Sequence, residues 1–107
     1  MHGIYGCHNE EGVLMYVGSS TKSLDQLEYN HRNYQRFGAD GYGSNFRKAL
    51  VQGGAGWKFI WLQPPRQISR TQCEIEEGAL IRYLKPRYNL DMYPYENSVR
   101  RGRMEQI

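Results

Sequence analysis

Short runs rich in β-branched and aromatic residues predict three strands along the chain. Residues 2–8 and residues 13–18 have this composition, and the turn-forming sequence Asn-Glu-Glu-Gly at 9–12 separates them. Residues 57–62, Trp-Lys-Phe-Ile-Trp-Leu, form a third run, and the proline pair at 64–65 is expected to end it. The pattern therefore indicates a β-hairpin and a later third strand.

The predicted hairpin places two tyrosines on one face of the sheet. A four-residue loop at 9–12 would set Tyr5 opposite Tyr16. The same register would set Gly3 opposite Gly18. Directly opposed side chains in an antiparallel pair lie about 5 Å apart on the same face. We therefore expect both tyrosine side chains to point in the same direction.

Helical periodicity and capping residues predict three helices, which cover residues 24–36, 45–51 and 72–84. Ser23 and Ser44 are the expected N-cap residues of the first two helices. Thr71 is the expected N-cap of the third, because Glu74 follows it at the spacing of a capping box. The predicted element order is therefore β-β-α-α-β-α.

This order indicates an α+β fold, in which a small three-stranded antiparallel sheet is flanked by helices. The predicted elements occupy residues 1–92 as one domain, and residues 93–107 form a polar, basic C-terminal tail. A chain of 107 residues has room for one domain of ordinary size. That length excludes an enzyme with a separate cofactor domain.

Composition and charge narrow the classes of function. With 14 Lys and Arg against 11 Asp and Glu, the net charge of +3 permits a nucleic-acid partner without demanding one. No apolar run approaches the roughly 18 residues of a membrane span, and no signal peptide opens the chain, so no membrane association is expected. Cys7 and Cys73 are too few for a disulfide framework and are expected to be buried apolar fillers in a reducing cytoplasm.

One carboxylate interrupts an apolar stripe on the predicted third helix. Cys73, Glu77, Leu80 and Leu84 recur at steps of four, three and four, so they share one helix face. An ionised carboxylate in a core is destabilising unless it is paired or binds a cation. Glu77 therefore either sits at the boundary beside a surface Glu76 or faces a site and holds a divalent cation such as Mg²⁺.

Two triplets and a C-terminal block resemble the GIY-YIG nuclease superfamily. The triplet Gly-Ile-Tyr at 3–5 is followed, after ten residues, by Tyr-Val-Gly at 16–18, which differs from the family's second triplet by one conservative exchange. The segment 77–89 resembles the family's last helix, where a glutamate precedes a Leu-Ile pair, a proline and Tyr-Asn. The resemblance covers residues 3 to about 90. Excision-repair endonucleases and phage homing endonucleases of this superfamily share the same layout.

The resemblance implies a hydrolase that cuts a phosphodiester bond of DNA with Mg²⁺ or Mn²⁺. Tyr5 and Tyr16 match the family's two active-site tyrosines, one of which helps to accept the proton of the attacking water. Glu77 matches the metal ligand, and Asn89 matches a residue that organises the site from the strand after the last helix. His31 matches a histidine of the first helix that would act as a general base or bind phosphate.

The first helix departs from the family's pattern. The family carries an arginine eight or nine residues after the second glycine, where it clamps the scissile phosphate, and here Gln26 and Leu27 occupy those positions. Neither side chain is charged, so neither replaces a guanidinium. Leu27 is also expected to pack this helix on the sheet together with Leu24.

Three arrangements would account for the missing arginine. A shifted helix would bring Arg32 or Arg36 to the site, although both lie well around the helix from Leu27. A basic residue from another element, Lys22 or Arg47, would reach the site instead. Alternatively, the arginine has been lost and the protein binds DNA without efficient cleavage.

Basic side chains along the chain are candidate contacts to the DNA backbone or simply part of a solvated surface; they are Arg32, Arg36, Arg47, Lys48, Arg66, Arg70, Arg100, Arg101 and Arg103. The sequence contains no helix-turn-helix, zinc finger or other module that reads bases. Specificity is therefore expected from homodimerisation, the tail, loop 38–43, a partner protein or DNA shape.

These observations favour a metal-dependent DNA endonuclease of bacterial or phage origin. The alternative is a non-catalytic or weakly catalytic DNA-binding or accessory protein that kept the fold without the arginine. A third interpretation is a nuclease subunit that cuts only with a partner.

Overall fold

The computed structural model describes residues 1–33 and 44–92 as an α+β fold, which confirms the predicted fold class. The strands are β1 (His2–His8), β2 (Leu14–Ser20) and β3 (Lys58–Arg66). The helices are α1 (Leu24–Arg32), α2 (Ser44–Gly53), α3 (Arg70–Leu84) and α4 (Arg87–Met92). Within the two described ranges, no helix combines the length and the apolar character needed to cross a bilayer.

The three strands form an antiparallel sheet in the order β2-β1-β3. β1 is central and its residues from Gly3 to Cys7 are all buried. β3 continues through Pro64 and Pro65, so the expectation that this pair ends the strand was wrong. An edge strand tolerates proline because its outward N–H groups need no partner, and the β1–β3 register shifts between His2 and Ile4, beside the prolines.

The hairpin register differs from the predicted one by two residues. Tyr5 lies opposite Gly18, and Tyr16 lies opposite Cys7. The cause is the turn, where Asn9 Oδ1 accepts the N–H groups of residues 11 and 13 and the register shifts after Cys7. Because a slip of two residues preserves the side-chain alternation, both tyrosines still share one face, as predicted.

Most helix boundaries follow the capping residues. Ser23 caps α1 and accepts the N–H of Gln26 at 3.2 Å. α1 ends at Arg32, and the last part of its predicted range, 34–36, lies outside the described residues. α2 begins at Ser44, which was expected to precede it.

The third helix begins earlier than predicted. Ser69, and not Thr71, is the N-cap of α3, and its hydroxyl accepts the N–H of Gln72 at 3.0 Å. The expected cap at Thr71 is therefore wrong: Ser69 and Gln72 have the same capping-box spacing as Thr71 and Glu74, and the helix begins at the earlier pair. The segment that holds Asn89 is the short helix α4, so the expected strand after the last long helix is also wrong.

The sheet has two different faces. The first, called the aromatic face, packs on α1 and α2; its buried core is Tyr5, Cys7, Tyr16, Leu27, Phe46, Leu50 and Phe59. The second, called the aliphatic face, packs on α3; its buried core is Ile4, Val17 and Cys73. Both cysteines are free and buried, as predicted, and burial raises the pKa of the Cys7 thiol to about 12.

Candidate active site

Two tyrosines and a histidine form a buried polar group within the aromatic face, here called the tyrosine–histidine cluster (Tyr5, Tyr16 and His31). The Tyr5 hydroxyl lies 2.8 Å from His31 Nε2. The two tyrosine ring centroids are 6.1 Å apart, and Tyr16 stacks on Phe46 at 4.3 Å. The sequence-predicted tyrosines and histidine are therefore in one place, although they come from three different elements.

Arg47 of α2 fixes the proton positions in this cluster. Its Nε lies 3.1 Å from His31 Nδ1. A guanidinium only donates hydrogen bonds, so Nδ1 must be the accepting, unprotonated nitrogen. The neutral imidazole then carries its hydrogen on Nε2 and donates it to the Tyr5 oxygen, which leaves the hydroxyl hydrogen of Tyr5 directed elsewhere.

His31 is held neutral. Its pKa is lowered from 6.5 to about 4, first because burial disfavours the imidazolium and second because the charge of Arg47 repels it. At neutral pH both ring nitrogens are occupied, one accepting from Arg47 and the other facing Tyr5. The geometry therefore makes His31 a link between the arginine and the tyrosine.

Tyr5 is held protonated. Burial raises its pKa well above 10, and the charges of Tyr16 and Glu77 raise it further, as does a hydrogen bond with Tyr16. The charge of Arg47 acts in the opposite direction. The Tyr5 hydroxyl is therefore a hydrogen-bond donor at neutral pH, and a nearby added cation would favour its ionisation.

Glu77 of α3 is half-buried and sits beside the end of β2. Its Oε1 accepts a hydrogen bond from Ser19 Oγ at 3.1 Å. Burial raises the pKa of the carboxyl, the Ser19 hydroxyl opposes this, and the charge of Glu74 adds to it. A carboxylate that is partly removed from water in this way is stabilised by a cation, so its chemistry fits an Mg²⁺ or Mn²⁺ ligand.

The protein would contribute few ligands to such a cation. The described ranges contain no cluster of three or more His, Cys, Asp or Glu residues with metal-binding geometry. Mg²⁺ often binds through one or two carboxylates and retains water and substrate phosphate oxygens as its other ligands. Glu77 alone is compatible with that mode of binding.

Asn89 is buried and binds the backbone of β2. Its Oδ1 accepts the N–H of Val17 at 2.7 Å, and its Nδ2 donates to the Val17 carbonyl at 2.7 Å. Both ends of the amide are thus used to anchor α4 to the strand between Tyr16 and Gly18. Asn89 therefore positions the second triplet through its backbone.

Gly18 makes room for Tyr5 across the hairpin. A Cβ at Gly18 would lie 2.5 Å from the Tyr5 hydroxyl oxygen, closer than any real Cβ contact. Gly3 is similarly crowded, because a Cβ there would lie 2.7 Å from the Trp61 ring. Packing therefore requires a glycine at both positions, against Tyr5 at Gly18 and against Trp61 at Gly3.

The two positions that depart from the family's pattern have different environments. Leu27 is 7% exposed and belongs to the core of the aromatic face, as predicted. Gln26 is exposed and donates to Asn30 Oδ1 at 2.9 Å. Neither brings positive charge to the tyrosine–histidine cluster.

Three of the candidate DNA-contact arginines bind glutamates. Arg32 pairs with Glu28 and also donates to two backbone carbonyls, those of residues 54 and 57, so it ties α1 to the start of β3. Arg66 pairs with Glu76, and Arg70 pairs with Glu74. Lys48 is exposed on α2, where Arg47 binds His31. The other four candidates lie outside the described residues; these are Arg36, Arg100, Arg101 and Arg103.

Sequence reasoning did not single out Ser19 as a site residue. It directly follows the Tyr-Val-Gly triplet, and its hydroxyl binds Glu77. Its position two residues after the buried Val17 was a usable signal, because alternation predicts that both point to the α3 side of the sheet. The contact between Arg47 and His31 had no sequence signal, since it depends on how α1 and α2 pack.

Comparisons with known proteins give two partial matches. The chain is 30% identical over 98 residues to the UvrABC system protein C of Chlorobium phaeobacteroides, a match that covers 87% of this chain and 14% of that protein. It is 34% identical over 79 residues to an erythronate-4-phosphate dehydrogenase of Pseudomonas fluorescens, covering 71% of this chain and 20% of that protein. The chain thus spans a small part of either relative. No family model and no solved structure matches it.

Proposed function

We propose that this chain is a nuclease domain of the GIY-YIG superfamily that hydrolyses a phosphodiester bond of DNA with Mg²⁺ or Mn²⁺. The match to the UvrABC system protein C covers 87% of this chain at 30% identity and supports the superfamily. The observation that carries the proposal is that both tyrosines lie in one buried cluster, and that the charge of the half-buried Glu77 carboxylate raises the pKa of Tyr5. Tyr5 and Glu77 are far apart in sequence, and this electrostatic interaction between them supports a shared site.

Glu77 would hold the divalent cation in this proposal. The cation would offset the negative charge that develops on the phosphoryl oxygens. The hydroxyls of Tyr5 and Tyr16 would orient the attacking water and the phosphate by hydrogen bonds. His31 keeps the Tyr5 oxygen in place, and Asn89 holds the strand that carries Tyr16.

The match to a dehydrogenase does not support a dehydrogenase function here. Dinucleotide-binding folds use parallel strands joined by helical crossovers, with a glycine-rich turn at a helix N-terminus. The three described strands are antiparallel. The match covers 20% of that enzyme.

One observation favours the alternative, a DNA-binding protein that cuts weakly or not at all. Leu27 occupies a position where the family carries a phosphate-binding arginine, and it is buried in the core. Loss of one such charge contact would lower the rate by about 10²–10³-fold. The sequence contains no base-reading module, so a second copy of the chain or a partner protein would then select the DNA site.

Cleavage of supercoiled plasmid DNA at low salt, with Mg²⁺ or Mn²⁺, tests the proposal. Glu77→Gln should abolish cleavage and leave DNA binding intact, because it removes the cation ligand and not the backbone contacts. Glu74→Gln is the matched control, one turn earlier on α3 and exposed, and it should cut like the parent. Equal cutting by Glu77→Gln and the parent would contradict the metal assignment, and a parent that binds DNA but does not cut would favour the alternative.

A further inference from the structure

Arg47 differs from Arg32, Arg66 and Arg70 in its hydrogen-bond partners. None of the three ion pairs among the described residues includes it, whereas Arg32, Arg66 and Arg70 each bind a glutamate. Within the described ranges its one hydrogen bond is from Nε to His31, and its two Nη groups bind nothing there. Among the described residues, two donating nitrogens of this half-buried guanidinium thus have no partner beside the tyrosine–histidine cluster.

These nitrogens belong to a side chain that lines a polar groove. The groove has a volume of about 400 Å³, and the described residues that line it are Lys22, Gln26, Asn30 and Arg47. Of these four described residues, two are cations, two carry amides and none is a carboxylate. Such a lining favours an anion and gives it several hydrogen-bond donors.

We propose that Arg47, from α2, supplies the guanidinium that binds the scissile phosphodiester, in place of the arginine that α1 lacks. This inference rests on the proposed nuclease function and adds the residue that recognises the substrate's phosphate. Leu27 and Gln26 then need no charge of their own, because the cation enters from the neighbouring helix.

The hydrogen bond to His31 orients Arg47 for this task. The bond from Nε to His31 Nδ1 orients the guanidinium. Its two Nη groups form the opposite edge, and this edge can donate two parallel hydrogen bonds to two oxygens of a phosphate. The same bond holds His31 in the form that donates to Tyr5. Phosphate binding and the position of Tyr5 are thereby connected through one imidazole.

Three substitutions at position 47 separate the charge from the hydrogen bond. Arg47→Ala removes both, Arg47→Gln keeps a donor for His31 without charge, and Arg47→Lys keeps a charge without the fork. In single-turnover plasmid cleavage we expect the rates of Arg47→Ala and Arg47→Gln to be lower than the parental rate by about 100-fold or more. Arg47→Lys should recover part of this loss. Arg82→Ala is the matched control, because it removes an exposed arginine from the far end of α3 and should cut like the parent.

Nitrogen NMR of the His31 ring provides a readout independent of cleavage. In the parent, Nδ1 should be unprotonated and Nε2 protonated at neutral pH, and the His31 pKa should rise in Arg47→Gln because the repelling charge is gone. Titration with inorganic phosphate and with a short DNA duplex should shift the His31 ring signals in the parent. Both shifts should be lost in Arg47→Gln, provided that its circular dichroism shows a folded domain.

The outcomes distinguish this inference from the proposed function. A parent that cuts, with Arg47→Gln within about twofold of it, would overturn the role of Arg47 and leave the nuclease proposal standing. A parent that never cuts would overturn the nuclease proposal; a phosphate-induced His31 shift lost in Arg47→Gln would then still support Arg47 as an anion-binding residue. No phosphate- or DNA-induced shift in the parent would overturn the inference.

Discussion

The two faces of the sheet are built from the same strands and differ in chemistry. On the aliphatic face, the side chains of Ile4, Val17 and Cys73 form a buried apolar core under α3. On the aromatic face, Tyr5 and His31 are equally buried but hydrogen-bond to each other. A buried polar network is retained at a cost that an aliphatic core avoids, which indicates that this face serves a purpose beyond stability.

The comparison also identifies the point where the faces meet. Glu77 projects from α3, which covers the aliphatic face, yet its charge acts on Tyr5 of the other face. β2 is an edge strand, and Ser19 near its end binds the carboxylate. The candidate active site therefore lies at the edge of the sheet formed by β2.

The largest expected difference between the faces is a pH dependence of stability that comes from His31. Its pKa is about 4 in the folded protein and about 6.5 unfolded, so between these values the unfolded chain binds more protons. The stabilisation is fully present above pH 6.5 and falls by about 3 kcal/mol as the pH is lowered to 4. Urea unfolding at several pH values should show this decline.

His31→Gln provides the comparison for that experiment. It removes the titrating group from the aromatic face and should flatten the profile between pH 6.5 and pH 4. An equally steep profile in this variant would assign the pH dependence to other groups.

Crowding around Tyr5 should give the next largest effect. Gly18→Ala would place a Cβ against the Tyr5 hydroxyl, so we expect a loss of about 2 kcal/mol of unfolding free energy and a displaced tyrosine. Gly53→Ala is the control, because a Cβ there meets nothing within 4 Å. Thermal or urea unfolding of the two variants should differ clearly; equal stability would mean that the hairpin relaxes without strain.

The smallest expected effect on stability concerns Glu77. Because burial raises the folded-state pKa, the carboxyl contributes stability at low pH that is lost as the pH rises through the folded pKa. Glu77→Gln should therefore unfold at a slightly higher temperature than the parent at pH 7 in metal-free buffer, and the difference should shrink near pH 4.

Added metal should reverse that order. Mg²⁺ or Mn²⁺ should raise the melting temperature of the parent and leave Glu77→Gln unchanged, because binding to the folded state stabilises it. Equal metal-induced shifts in both proteins would place the cation elsewhere.

Much of the fold was accessible from the sequence. Alternation and turn residues located the strands, and their period of two put Tyr5 and Tyr16 on one face even though the register was two residues off. Errors arose where a local signal competed with tertiary context. The proline pair is tolerated because β3 is an edge strand, and Ser69 caps α3 ahead of the equally plausible Thr71.

The site was accessible only in part. A glutamate within an apolar stripe marked Glu77, and the resemblance marked the tyrosines. The occupied nitrogens of His31, the backbone anchoring by Asn89 and the approach of Arg47 depend on contacts between elements distant in the chain. No local pattern encodes such contacts.

The most direct test of the central proposal compares one conservative variant from each face in single-turnover DNA cleavage with Mg²⁺. Tyr5→Phe removes one hydroxyl from the aromatic face, and Ile4→Val removes one methylene from the aliphatic face at a stability cost of about 1 kcal/mol. We predict that Tyr5→Phe cuts at least about 100-fold more slowly than the parent, while Ile4→Val cuts at the parental rate. Equal rates for the two variants, or a parent without cleavage, would contradict the account.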